Sequence, residues 1–384
     1  MHAVYSREVT AFRACIYRAG TSKGIFLHMN DLPQDAQTRD KVILAMFGSP
    51  DKRQIDGLGG AQVLTSKLAL VGPSSVPGAD VDYIFGQVDI DHAYISYSGL
   101  CGNISAGIGP FAIEEGLVRA VEPVTKVRIY SKNTDQIYVA EVPVNDGHPV
   151  IGGDYAVAGV PGTGAKLNID MAGCVASCRM GLLPTGRPKD VWTVPGYGPL
   201  EGSMVDAVNP CIFVRAKDLG LKGTERKSGD LSEEQAHLLE EIRKIGFEIL
   251  HKKYNPLDAV PFVAFVSEPK DYTDYLTGRN ISGKDIDFLS RVWFLGQIHQ
   301  TYPGSISCCS GAAAVIPGTV VSDIRGMQPR ANVRIGHPGG IIEVEAVCGQ
   351  HEDGSPKIER LSYGRTARRI MDGYCYVPNN RFME

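Results

Sequence analysis

The chain of 384 residues lacks several features that would settle its class at once. No uninterrupted apolar stretch approaches the roughly 20 residues a bilayer-spanning helix needs, and the start, Met1-His-Ala-Val-Tyr-Ser-Arg-Glu8, has no apolar core of a signal peptide. No basic run is dense enough to track a phosphate backbone, since 39 basic and 43 acidic residues are spread along the chain for a formal charge of −4. Neither a membrane nor a nucleic acid is expected as a partner, and a soluble, cytoplasmic protein is. A disulfide framework is absent too: nine cysteines at irregular spacing fit a reducing compartment. Cys174 and Cys178 have no second ligand pair and no His-Glu-x-x-His occurs, so no metal is expected. No Gly-x-Gly-x-x-Gly follows a strand and no Gly-x-Ser-x-Gly elbow is present, which leaves nicotinamide cofactors and hydrolase chemistry unsupported. The chemistry left is proton transfer by side chains, with no cofactor.

What is there points to two lobes. At this length, with 43% hydrophobic residues, the chain can fill two cores of ordinary size. Forty-four glycines and 23 prolines cut it into short β-like runs, among them Ile84–Val88, Lys126–Tyr130, Ile137–Val142, Cys211–Val214 and Pro261–Val266. Ser232-Glu-Glu-Gln235 is a capping box that predicts a helix to about Lys253. Further helices are predicted over Asp35–Phe47, over Lys284–Gln300 after Ser282, and after the basic segment Tyr363-Gly-Arg-Thr-Ala-Arg-Arg369, where Arg368 and Arg369 face solvent. Two segments read instead as helices of small residues, Cys101-Gly102-Asn103-Ile-Ser-Ala-Gly-Ile-Gly-Pro-Phe111 and Cys309-Ser310-Gly311-Ala-Ala-Ala-Val-Ile-Pro-Gly318. They form a degenerate internal repeat, one copy per lobe. A boundary near Gly186-Arg-Pro-Lys189 gives lobes of residues 1–187, with Lys67 and Cys101, and 188–384, with Cys309 and a last helix packing back on the first lobe.

A cysteine in the first turn of a helix lies where free backbone N–H groups and the helix dipole favour a thiolate and bind anions. Cys101 and Cys309 both fit, against the alternative of inert buried thiols. Arg18-Ala-Gly-Thr21-Ser22-Lys23-Gly24, between two apolar runs, is a loop of hydroxyls, amides and cations suited to a carboxylate. Gln54-Ile-Asp-Gly-Leu-Gly-Gly-Ala-Gln-Val-Leu-Thr-Ser66-Lys67 is a glycine-rich loop that delivers a lysine into the apolar run Leu68–Val71. Burial there would ease loss of its proton and make it a base, although a lysine in such a place, taken alone, is more often a solvated strand edge. Arg334-Ile-Gly-His337-Pro-Gly-Gly340 is a turn whose imidazole could meet an anion, or be structural.

The motifs Arg18-Ala-Gly-Thr-Ser-Lys-Gly, Asp56-Gly-Leu-Gly-Gly, Leu64-Thr-Ser-Lys67, Cys101-Gly-Asn-Ile-Ser-Ala-Gly, Asn209-Pro-Cys and Gly364-Arg-Thr-Ala-Arg-Arg resemble the methylitaconate Δ-isomerase family. That family also contains 2-methylaconitate cis–trans isomerases, 4-oxalomesaconate tautomerases and aconitate Δ-isomerases. The resemblance runs from about residue 12 to 377, and its methylitaconate branch shares Phe47-Gly-Ser-Pro, Arg53-Gln-Ile-Asp-Gly and Gly109-Pro-Phe-Ala-Ile. More distantly the chain looks like diaminopimelate epimerase. The resemblance implies an α+β fold of two pseudo-symmetric lobes, each a mixed sheet wrapped around a central helix, with the site in the cleft between them. It puts Lys67 and Cys101 in the acid/base positions and Thr21, Ser22, Ser66 and Asn103 against substrate carboxylates. Two departures are the Cys308-Cys309 pair where one cysteine is expected, and Val315 where the methylitaconate branch has an arginine.

The expected function is thus a cofactor-independent isomerase that shifts a C=C bond in a small unsaturated di- or tricarboxylic acid. The binding set is Arg18, Thr21, Ser22, Lys23, Gln54, Ser66, Gly102, Asn103, Asn209, Ser310, Gly311 and His337, with Lys67, Cys101 and Cys309 catalytic. A two-cysteine epimerase or racemase and a non-catalytic carboxylate-binding protein are the alternatives. A homo-oligomer is left open.

Overall fold

The computed structural model describes residues 3–383 other than 5, 327 and 329. Internal contacts divide the chain into two units. One comprises the chain up to Ala156, Gly162–Asn168 and the segment from Arg365 on; the other comprises Val157–Pro161 and Ile169–Gly364, whereas the sequence suggests a boundary at 187.

In the first unit β1 (Val9–Ala19) turns at Gly20-Thr21 into β2 (Ser22–His28). Helix α1 (Ala36–Phe47), capped by Asp35, carries the chain to β3 (Lys67–Pro73), parallel to β2. Strand β4 (Val81–Val88) is antiparallel to β3. Helix α2 (Gly102–Glu114) then leads to β5 (Val124–Ser131), parallel to β4, and β6 (Gln136–Asn145) returns antiparallel. The strands alternate in the sense their pleat requires. Ile25, Leu27, Leu68 and Leu70 pack with Val42, Ile43, Met46 and Phe47 of α1, while the opposite face closes on α2.

The second unit repeats this order. Strands β7 (Gly198–Ala207) and β8 (Asn209–Arg215) form a hairpin, α3 (Glu233–Ile249) crosses to a parallel β9 (Phe262–Ser267), and β10 (Phe288–Phe294) is antiparallel to β9. Helix α4 (Gly304–Val315) crosses to β11 (Asn332–His337), parallel to β10, and β12 (Gly340–Gln350) returns. Ser232 caps α3 in the predicted capping box. The fold is α+β, each unit a mixed sheet around a central helix.

The central helices show why they are made of small residues. Every residue of α2 from Gly102 to Ile113 is buried, as is every residue of α4 from Gly304 to Ala314. A helix with no solvent-facing side must let strands approach its backbone. A Cβ at Gly109 would stand 2.8 Å from Val142 and 3.1 Å from Ala140, and one at Gly311 would stand 2.8 Å from Val344 and 3.5 Å from Ala346. These contacts fall at matching register positions of the two sheets, so Gly102-Asn-Ile-Ser-Ala-Gly-Ile-Gly109 corresponds to Gly304-Ser-Ile-Ser-Cys-Cys-Ser-Gly311. The internal repeat therefore holds in a different register from the one that aligned the cysteines. Cys101 precedes its helix as N-cap, whereas Cys309 is the sixth residue of α4, which begins at Gly304.

Two other predicted helices are strands. Ser282 caps only a short turn, Gly283–Asp285, and Phe288–Phe294 is a strand buried along its whole length, so its apolar residues had no reason to alternate. The segment after Tyr363 becomes the strand Ala367–Pro378, antiparallel to β1 over its whole length. Arg369 does not face solvent. With Arg13 it meets Glu114 and Glu115 at the end of α2, where two carboxylates oppose the helix dipole and require cations.

Burial alone would raise the Glu115 carboxyl, but hydrogen bonds from Arg13, His28 and Arg369 outweigh it and hold the group at about 2. Because this lies below the unfolded value of about 4.3, the stabilisation is present above that pH and is lost as pH falls toward 2. Glu115→Gln should cost on the order of 3 kcal/mol near neutrality, measured as a lower denaturation midpoint. The gap to wild type should shrink as pH drops below about 4; a gap independent of pH would refute this account.

Candidate active site

In the first unit the start of α2 lies over the open ends of β2 and β3. A Cβ on Gly24 would be 2.8 Å from the Lys67 carbonyl and 2.9 Å from Ile104 Cδ1. Lys67, paired with Gly24 in the parallel ladder, points to the same face. It is no solvated edge residue: it is 4% exposed. Its ammonium donates to Gln87 Oε1 at 2.5 Å and lies 5.3 Å from the centre of the Phe85 ring. Burial pushes its pKa below the ordinary lysine value, and charge on Cys101 acts in the opposite sense.

Cys101 occupies the N-cap with a half-buried thiol that makes no capping bond, while its carbonyl accepts from Ser105 N at 2.8 Å and Ser105 Oγ at 2.9 Å. The backbone N–H groups of the first turn, Gly102 and Asn103, are thus beside it. The Asn103 amide is fixed from both ends. Arg365 Nε donates to its Oδ1 at 2.9 Å, and its Nδ2 donates to Thr21 Oγ1 at 3.1 Å. Ser22 is buried, and among the described residues its Oγ has no hydrogen-bond partner.

Other expected ligands have protein partners. Arg18 Nη1 donates to the carbonyl and hydroxyl of Thr366, at 2.5 and 2.8 Å, and so braces the hairpin. Gln54 Nε2 donates to Ser49 Oγ and Ser66 Oγ, at 2.9 and 2.8 Å, and its Oε1 accepts from Ala61 N. Ser66 Oγ donates to the Val88 carbonyl. Gln54 and Ser66 therefore shape the glycine-rich loop that presents Lys67. Lys23 lies on the strand face opposite Ser22 and Gly24.

The second unit treats its expected residues as core. Cys309 donates its thiol hydrogen to the Val205 carbonyl at 3.3 Å, and burial pushes its pKa up. Ser310 shares a hydrogen bond of 2.8 Å with Tyr302, whose hydroxyl also donates to Ser290. Gly311 backs onto β12, and His337 Nδ1 accepts from Gly339 N beside the Tyr302 ring. Asn209 Nδ2 donates to Ser305 Oγ at 2.9 Å, in the first turn of α4. By register, Asn209 and Ser305 stand where the first unit has Ser22 and Asn103. Phe262 and Phe294 stand where it has Lys67 and Gln87, as stacked rings 5.2 Å apart. Sequence reasoning missed Gln87, a lone polar side chain in Tyr83-Ile-Phe-Gly-Gln-Val88, and the clasp of Arg365 on Asn103.

The family model described as PrpF protein matches residues 10–378. The chain belongs to that family. It is 50% identical over 378 residues to 3-methylitaconate isomerase of Eubacterium barkeri, covering 96% of this chain and 97% of that one. It is 37% identical to 2-methyl-aconitate isomerase of Shewanella oneidensis, covering 95% and 96%. A crystal structure of methylitaconate-delta-isomerase superposes with a TM-score of 0.79 at 47% identity, covering 97% of each chain. A hydroxyproline epimerase from Agrobacterium vitis shares the fold, with a TM-score of 0.56 at 12% identity, over 96% of this chain and 92% of that one. This PrpF-family chain is an isomerase. Among its described residues no group of three or more His, Cys, Asp or Glu could hold a metal ion, and no helix is long and apolar enough to cross a membrane.

Gly20 has φ +52°, and a Cβ there would stand 2.2 Å from Asn103 Oδ1. Gly20→Ala should therefore destabilise the fold by about 1 kcal/mol or more and lower turnover by displacing Asn103. Wild-type values for both would show that the Thr21–Asn103–Arg365 clasp tolerates movement.

Proposed function

We propose that the chain is a cofactor-independent Δ-isomerase of methylitaconate or a close unsaturated di- or tricarboxylate, with Lys67 and Cys101 exchanging the migrating proton. The observation that carries this is the burial of Lys67 on the face that meets the start of α2, with Cys101 close enough for its charge to act on it. A carbon acid beside a carboxylate gives up its proton only if the dienolate charge is stabilised where it forms. The first-turn N–H groups of α2, the Asn103 amide and the Ser22 hydroxyl are suited to that, and a lysine whose pKa is lowered by burial gives up its proton more readily than an exposed one. The substrate preference rests on the relative named 3-methylitaconate isomerase at 50% identity. Two opposed thiol bases, as in an epimerase, find no support in a Cys309 buried in mid-helix.

The test is to incubate the protein in deuterium oxide, after exhaustive chelation, with methylitaconate, 2-methylaconitate, aconitate and oxalomesaconate, and to follow carbon-bound exchange by NMR. Methylitaconate should exchange and isomerise fastest; exchange in none of the four would overturn the reading.

Lys67→Arg keeps a cation but cannot release a proton near neutral pH. It should lose roughly 10²- to 10⁴-fold in turnover while remaining folded by circular dichroism. Near wild-type turnover would make Lys67 an electrostatic clamp and leave Cys101 as the base.

A further inference from the structure

We infer that Gln87 is the positioning residue of the proton-transfer lysine: its neutral amide oxygen aims the Lys67 nitrogen and keeps its proton exchangeable. This rests on the assignment of Lys67 above. The amide cannot turn over. Its Nε2 donates to the carbonyls of Val63, at 3.2 Å, and Ser66, at 2.9 Å, which uses both N–H groups. A flip would set Oε1 against two carbonyl oxygens, so Oε1 stays facing Lys67 Nζ at 2.5 Å. Val63 and Ser66 flank the turn that leads into β3, so one side chain fixes both the approach of the loop and the direction of the nitrogen.

The choice of amide over carboxylate matters. A glutamate here would accept the same hydrogen bond but add a buried negative charge, which favours the ammonium and holds the proton on the lysine. The surroundings keep the other inputs simple. On that face β2 presents Ser22 and Gly24, with Lys23 on the opposite face, β4 presents Phe85 and Gln87, and α2 brings the titratable Cys101. In the second unit, where Phe262 replaces the lysine, Phe294 replaces the glutamine. The two residues come and go as a pair.

The experiment compares Gln87→Glu, Gln87→Leu and Lys67→Ala in the full-length enzyme, each checked for folding, with methylitaconate as substrate. For Gln87→Glu the limb of the kcat–pH profile governed by Lys67 should move to higher pH by about one unit or more. Gln87→Leu should lower kcat about 10-fold or more with KM little changed, as expected when orientation rather than binding is lost. If both limbs for Gln87→Glu coincide with wild type while Lys67→Ala is inactive, the inference about Gln87 falls and the role of Lys67 stands. If Lys67→Ala turns over normally, both fall. Should Gln87→Leu not fold, the pH profile of Gln87→Glu decides alone.

Discussion

A helix surrounded by sheet on every side has no surface on which to place ordinary side chains, and the rest of this molecule follows from that constraint. Strands can close around α2 only because Gly107 and Gly109 leave room for Phe26, Ala140 and Val142. The closure buries the helix from its first residue, at the ends of β2 and β3. Those ends are where the hairpin hydroxyls and Lys67 lie. The same burial that satisfies packing thus brings the helix start and Lys67 together.

The electrostatics of Lys67 are the second consequence. An exposed lysine would carry its proton throughout the physiological range and act only as a cation. Desolvation makes the ammonium costly, and the acceptor supplied by Gln87 is an amide, which orients the nitrogen without adding a charge. At the far end of α2 the arrangement is reversed. Glu114 and Glu115 are met by full guanidinium charges from Arg13 and Arg369, which hold the Glu115 carboxyl below its ordinary range. One helix therefore has a charge-paired end that holds the fold and another end that adjoins Lys67 and Cys101.

The parts legible from sequence were those with local marks. Ser232 and Gln235 announce α3 by reciprocal capping, the cysteine-glycine step at Cys101 marks the start of α2, and the glycine-rich loop before Leu68–Val71 singles out Lys67. What stayed hidden had no local phase. In Gly304–Val315 every side chain is small, so no periodicity distinguishes the first turn from the middle, and Cys309 looked like a beginning. Phe288–Phe294 is buried on both faces, which removes the alternation that marks a strand. Gln87 meets Lys67 across twenty residues through a strand register that only the folded sheet defines. The hydrogen bonds of Gln54 and Ser66 are hidden for the same reason: a polar side chain in a loop reads as available until its partners are seen.

The repeat itself explains why one chain carries both a buried polar pair, Lys67 and Gln87, and its apolar counterpart. Two copies of the same topology offer two helix starts, two hairpin ends and two positions at the head of the crossover strand. A racemising enzyme, which must reach a carbon from opposite sides, would profit from reactive groups in both copies. Here the copies have diverged: Lys67 and Gln87 in one, Phe262 and Phe294 in the other, and a cysteine before α2 where Pro303 precedes α4. A proline at that position has neither a thiol nor an N–H, and an aromatic stack can neither give nor take a proton. All the exchangeable hydrogen of this set therefore belongs to the first unit. That asymmetry suits a reaction in which a proton leaves one carbon and returns to another on a single face, as a double-bond shift allows and inversion of a centre does not.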